Sequence, residues 1–362
     1  MTWKSNILSR WLPLLPVALI SSATGNPHSL TEPSEDRWMY PSNATPGTRP
    51  QVSTFSALPA DSSVDDRWAF FLVAFDTAAI IPPGLDPHRY RIRSMEISAM
   101  IGQDDLFRYD PTPDPWQTYA TPDTPATIPD PDPGRPLELF GAGFRNSFTP
   151  NTFTESSPHG GSAPGTRNAY PLGFDPSAQP RDISNHVTQQ FDPLPWATGQ
   201  MNLPPGDLVP VNTTVTFTID TSLPGVARYL QDGLSQGRLW FSLTSMHPAT
   251  FQGGEFVSYH TRNSFEHVLF GDAAPQWHAD IVIDNPLAIT RIPGEPHIHL
   301  TWPVATGFTY TLQQSPDLSE NSWSPIHTLT ATTHEETTHQ VLPTTPGGKQ
   351  FFRLAITPTA TP

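Results

Sequence analysis

Val211-Asn212-Thr213-Thr214-Val215-Thr216-Phe217-Thr218-Ile219-Asp220 is the stretch that decides the fold. Val211, Val215, Phe217 and Ile219 point one way. Asn212, Thr214, Thr216, Thr218 and Asp220 point the other, the period-two pattern of a strand with one buried face. Working outward, Met95, Ile97, Ala99 and Ile101 share a face, with Glu96 and Ser98 opposite. Residues 69–75 (AFFLVAF) form a continuous apolar run, short enough for a strand covered on both sides. Leu239, Phe241 and Leu243 alternate along residues 238–245, and Ala279, Ile281 and Ile283 close the set. One helix is expected over residues 224–234, with Val226, Leu230 and Leu234 on a single stripe and Gly237 as its stop. The fold class is all-β, a sandwich over residues 51–285.

Composition agrees with short strands joined by irregular segments. The 362 residues include 44 Pro, which breaks helices and central strands alike. Apolar residues are only 36%, but 20 Phe and 10 Trp supply the bulk of a core. Net charge is −15 with 19 Lys and Arg, which disfavours a nucleic-acid or anionic-membrane partner. Lys4 and Arg10, the apolar run 11–20 and the small residues Ser21, Ser22 and Ala23 have the order of a secretory signal peptide over residues 1–23. The run is too short for a membrane span, which takes about 20 residues. With no Cys in an exported chain, a bacterial, secreted or cell-surface location is expected.

Residues 24–50 are polar and rich in Ser, Pro and Asn, and read as a flexible lead-in. Residues 102–210 read as a long Pro-rich insertion, with short pieces of strand expected at 137–141 and 182–187. A second module is expected over residues 286–357, followed by a polar tail at 358–362. In it Ile298, Leu300 and Trp302 alternate with His297, His299 and Thr301, and Phe308, Tyr310 and Leu312 alternate with Thr309, Thr311 and Gln313.

Two resemblances follow from these strands. Residues 67–76 (RWAFFLVAFD) and 94–100 (SMEISAM), with late strands at 233–245 and 279–284, resemble the DNRLRE-type domain. That resemblance implies an extracellular jelly roll similar to carbohydrate-binding modules, without catalytic activity. Residues 310–318 (YTLQQSPDL), Trp323 and residues 351–354 (FFRL) are similar to a small C-terminal fibronectin type III-like β-sandwich module of exported bacterial proteins, which implies display or spacing.

No catalytic signature stands out, and no catalytic residue is assigned. His159-Gly160-Gly161-Ser162 lies among Pro158, Pro164 and Gly165 and reads as a plain loop. His297 and His299 lie on the solvent side of their strand. Asp104, Asp105, Asp110 and Asp114, with Asp130 and Asp132 after them, are hard oxygen donors suited to a structural calcium, and no other cofactor is implied. Trp116, Tyr119 and Trp196 stand in Pro-rich contexts, where they either stack on sugar rings or pin the insertion to the sandwich. Three functions remain open. The first is a non-catalytic exported protein that binds polysaccharide. The second is a structural surface or matrix protein with protein partners. The third is a glycan hydrolase using insertion carboxylates such as Glu138, Glu155, Asp175 and Asp182.

Overall fold

In a computed structural model the protein is almost entirely antiparallel β-structure, and the chain divides into two compact units after Ile283. The structure describes residues 26–41, 43–57, 63–120, 126–249, 254–284, 287–291, 297–302, 304, 308–331, 338–343 and 350–358. The expected signal peptide, and the tail beyond 358, lie outside these residues.

The larger unit runs β1 (Asn26–Leu30), β2 (Glu35–Met39), β3 (Gln51–Thr54), β4 (Phe70–Asp76), β5 (Tyr90–Met100), β6 (Leu137–Phe144), β7 (Ala169–Phe174), β8 (Pro180–Asp182), β9 (Ala197–Thr198) and β10 (Thr214–Thr218). It continues through α1 (Val226–Gln236), β11 (Arg238–Ser245), β12 (Val257–His260), α2 (Phe265–Phe270) and β13 (Gln276–Ile283). One sheet has the order β1-β13-β5-β10, the other β2-β4-β11-β6-β7-β8 with β9 on β6, and β12 pairs with β3.

The two sheets meet face to face as a sandwich. Phe71, Val73 and Phe75 of β4 and Leu239, Phe241 and Leu243 of β11 share one core with Met95, Ile97 and Ala99 of β5 and with Val215 and Phe217 of β10. Each such side chain contributes about 1.5–3 kcal/mol on full burial. The alternate residues of β4, Phe70, Leu72 and Ala74, are buried on the reverse face against Trp240 and Phe153. The apolar run is therefore covered on both sides, as its composition predicts. The helix also forms as expected: Val226, Leu230 and Leu234 are its buried stripe, and Gly237 ends it in the left-handed conformation at φ +80°.

Four expectations need correction. Val211 is 40% exposed rather than inward, because Asn212 turns the chain at φ +64° and the ladder begins only at Thr214. Residues 24–50 are no flexible lead-in: β1 pairs with β13 and β2 pairs with β4. Their polarity is misleading, since Asp36 and Arg37 are buried with partners. Asp36 accepts the Arg262 backbone N–H at 2.7 Å, and Arg37 donates to the carbonyl of Glu155 at 2.9 Å. Residues 102–210 are no insertion laid on a finished sandwich either. They supply β6, which sits between β11 and β7 in the larger sheet, and β7, β8 and β9 around it. The piece expected over 182–187 is strand only at its first residue.

The smaller unit contains β14 (Ala288–Arg291), β15 (His297–Trp302), β16 (Phe308–Ser315), β17 (Ser324–Thr330), β18 (Thr338–Pro343) and β19 (Phe351–Pro358). Its sheets, β14-β15-β18 and β17-β16-β19, enclose Ile298, Leu300, Trp302, Phe308, Tyr310 and Leu312, the alternating residues of the sequence. The side chain of His297 lies outside the described residues, and His299 is half-buried.

Candidate functional site

Two of the three candidate ligand-binding rings are structural anchors. Trp196 is 1% exposed; its ring stacks on Phe174 at 6.0 Å and meets Tyr229 edge-on at 4.9 Å. It lies so close to β6 that a Cβ on Gly141 would come within 2.3 Å of the indole. Tyr119 is 5% exposed, donates its hydroxyl to Asp114 Oδ2 at 3.0 Å, and lies under the Arg135 guanidinium at 4.7 Å. Neither ring is presented to a sugar. Trp116 is half-buried in a single turn, tied by its backbone N–H to Asp192 Oδ1 at 2.6 Å.

The candidate hydrolase carboxylates are each engaged elsewhere. Glu138 pairs with Arg67, Glu155 with Arg262 and Asp182 with Arg145, while Asp175 caps a turn at Ser177 N and Gln179 N. His159-Gly160-Gly161-Ser162 is one side of a loop in which Gly160 bridges antiparallel to Arg167 and Asn168 N donates to His159 O at 2.8 Å.

The four aspartates proposed for calcium do not come together. Asp104 accepts the Val211 N–H at 3.0 Å and Asp105 sits in the left-handed region at φ +52°. Asp110 and Asp114 instead converge with Asp132, their ligand oxygens all within 4.8 Å of one another. Burial raises the carboxyl pKa of both, that of Asp114 to about 6 despite the Arg135 hydrogen bond. Asp114 also forms part of the wall of a 590 Å³ cleft that includes Asp192, Gln200, Thr218 and Asp220.

A group of partly exposed aromatic rings gathers elsewhere. Trp38 on β2, Tyr40 just after it, Phe55 after β3 and Trp68 before β4 gather around a pocket of 220 Å³ closed by Ser53, Ala249 and Phe256. Trp38 and Tyr40 stack at 4.7 Å, Tyr40 meets Trp68 edge-on at 5.6 Å, and Phe55 meets Trp68 edge-on at 6.1 Å. All four rings are half-buried. β2, β3 and β4 bring the rings together: Trp38 lies opposite Phe71 across the β2–β4 ladder, and Phe55 bridges to Ala69. Trp38 Nε1 donates to the Ser53 carbonyl at 2.6 Å, which fixes the indole plane. Arg49 lies over the same indole at 5.0 Å, and its Nε donates to Asn43 Oδ1 at 2.9 Å, which sets a cation and an amide beside Trp38. Sequence reasoning missed this site because half of it falls in the segment read as a lead-in. The residues also share no spacing along the chain.

A different surface is apolar without being concave. On α2, Phe265, Val268, Leu269 and Phe270 are 56–73% exposed, while His267 turns inward and accepts the Ala274 N–H through Nδ1 at 3.1 Å. No helix among the described residues is long and apolar enough to cross a membrane. No protein-family model, curated protein or solved structure matches the chain.

Proposed function

We propose that this chain is an exported, non-catalytic β-sandwich protein that binds polysaccharide through the Trp38–Tyr40–Phe55–Trp68 pocket. The observation that carries the reading is that group of half-buried rings around one concavity. Sugar rings present flat C–H faces that pack on aromatic rings, and their hydroxyls need polar partners at the edge. Arg49 and Asn43 supply such an edge. The resemblance to carbohydrate-binding jelly rolls points the same way, and so does the engagement of the candidate catalytic carboxylates in ion pairs and turns. A glycan array probed with the purified protein tests the proposal. Retention on at least one polysaccharide class is expected, and no retention on any of them would reject it.

A second reading, a surface protein with protein partners, is favoured by the exposed apolar face of α2. It predicts self-association or partner capture that is lost when that face is made polar.

A further inference from the structure

Asp110, Asp114, Asp130 and Asp132 place four carboxylates beside one another, and a single guanidinium serves them. Arg135 donates to Asp114 Oδ2 at 3.0 Å and to Asp130 Oδ2 at 2.5 Å. Crowded acids alone would say little. What points to a ligand is the shortage of donors.

Asp110 is only 2% exposed. Its Oδ1 accepts from Thr112 N at 2.8 Å and from Thr112 Oγ1 at 2.7 Å. The same hydroxyl lies 3.0 Å from Asp132 Oδ2, yet it has one proton, so it cannot serve both carboxylates fully. Asp110 Oδ2 and Asp132 Oδ1 are buried with no hydrogen-bond partner among the described residues. A buried anionic oxygen without a donor is costly, and native proteins relieve it with a proton, a water or an ion. Tyr119 and Arg135 both engage Asp114 through Oδ2, which leaves Oδ1 for an ion.

We propose that Asp110, Asp114 and Asp132 bind a divalent cation, and that the cation is Ca²⁺. The donors are all oxygen, with no imidazole in the group and no thiol in the chain, which selects a hard metal over zinc or copper. Three carboxylates in irregular array, completed by water, match the flexible coordination of Ca²⁺ better than the strict octahedron of Mg²⁺. The ion joins the two ends of the Pro-rich stretch 111–131, whose described residues hold one single-turn helix, Trp116–Thr118, as regular structure. Asp114 also lines the 590 Å³ cleft, so the same ion fixes one wall of that cleft. This site is independent of the aromatic pocket, and either proposal can fail without the other.

The test uses protein freed of metal with a chelator and then titrated with Tb³⁺, whose emission is sensitised by a nearby phenol or indole. Tyr119, hydrogen-bonded to Asp114, is the sensitiser. Saturable emission is expected, displaced by Ca²⁺ at a concentration at least tenfold lower than by Mg²⁺. Ca²⁺ should also raise the melting temperature of the wild-type protein. Asp132→Asn, at a partly exposed position, and Asp110→Asn should each weaken Tb³⁺ binding at least tenfold. Absence of saturable emission from the wild type would overturn the proposal, as would unchanged binding by a folded Asp132→Asn protein. A melting temperature that rises on acidification to pH 5 but ignores Ca²⁺ would assign the charge relief to protons, and would equally overturn it.

Discussion

Arg67 and Glu138 meet at 2.5 Å inside the sandwich, the guanidinium fully buried and the carboxylate 4% exposed. Arg67 stands at the entry to β4 and Glu138 on β6, so the pair joins the first apolar strand to the segment whose sequence reads as an insertion. Thr244 of β11 takes a second hydrogen bond from the guanidinium at 2.7 Å, and Phe140 lies under it at 5.2 Å.

Glu138→Ala leaves a buried cation without its counter-charge. Such a loss typically costs about 3–5 kcal/mol, whereas replacing both partners with apolar residues is far milder. Urea denaturation of Glu138→Ala and of Arg67→Met/Glu138→Met should therefore show the single variant as the less stable. Equal stabilities would mean that the pair does not hold β6 in place.

Trp196 tests the same segment from its other end. Its indole fills the space left by the missing side chain of Gly141. Trp196→Ala should cost about 3–5 kcal/mol, and Gly141→Ala about 1–3 kcal/mol by overpacking. A Trp196→Ala protein within 0.5 kcal/mol of wild type, the range of surface changes, would contradict the burial of this ring.

Acid sensitivity follows from a buried imidazole. Burial, with Arg135 nearby, pushes the His247 pKa down to about 3 from an ordinary 6.5. Between those values the unfolded chain binds the proton and the folded chain does not. The contribution to stability is therefore complete above pH 6.5 and lost as pH falls toward 3. His247→Leu should flatten the loss of stability over that window in melts from pH 7 to 4. Asp36 acts in the opposite sense. Burial raises its pKa to about 6 from 3.8, so its contribution is complete below pH 3.8 and lost as pH rises through 6. Asp36→Asn should steepen the acid loss.

The apolar face of α2 separates surface from core. Val268→Lys and Phe270→Lys, at positions 71% and 73% exposed, should change stability by no more than about 0.5 kcal/mol. If this face docks a second protein, both should abolish any concentration-dependent association seen by sedimentation velocity.

Much of the sandwich is legible in the sequence because one-sided burial writes itself as alternation, as at Val215, Phe217 and Ile219, or as the helical stripe Val226, Leu230, Leu234. β6 is legible only over residues 137–141, and β7 not at all, because Gly141, Gly143, Pro171 and Gly173 interrupt the pattern. At Gly141 the interruption is itself a packing requirement, imposed by an indole from 55 positions later in the chain. β2 escapes because two of its buried residues, Asp36 and Arg37, are charged and satisfied by distant partners. The aromatic pocket escapes for a third reason. Trp38, Tyr40, Phe55 and Trp68 become neighbours only once β2, β3 and β4 are packed, and the rings that look exposed by their loop composition, Tyr119 and Trp196, are consumed as anchors.

Affinity electrophoresis through gels containing soluble polysaccharides, run with wild type and Tyr40→Ala side by side, tests the binding account most directly. Tyr40 lies outside the strands and contacts both indoles of the pocket, so its loss should spare the fold while opening the stack. The account predicts that a polysaccharide retards the wild type and leaves a folded Tyr40→Ala protein unretarded. Equal retardation of the two proteins would contradict it.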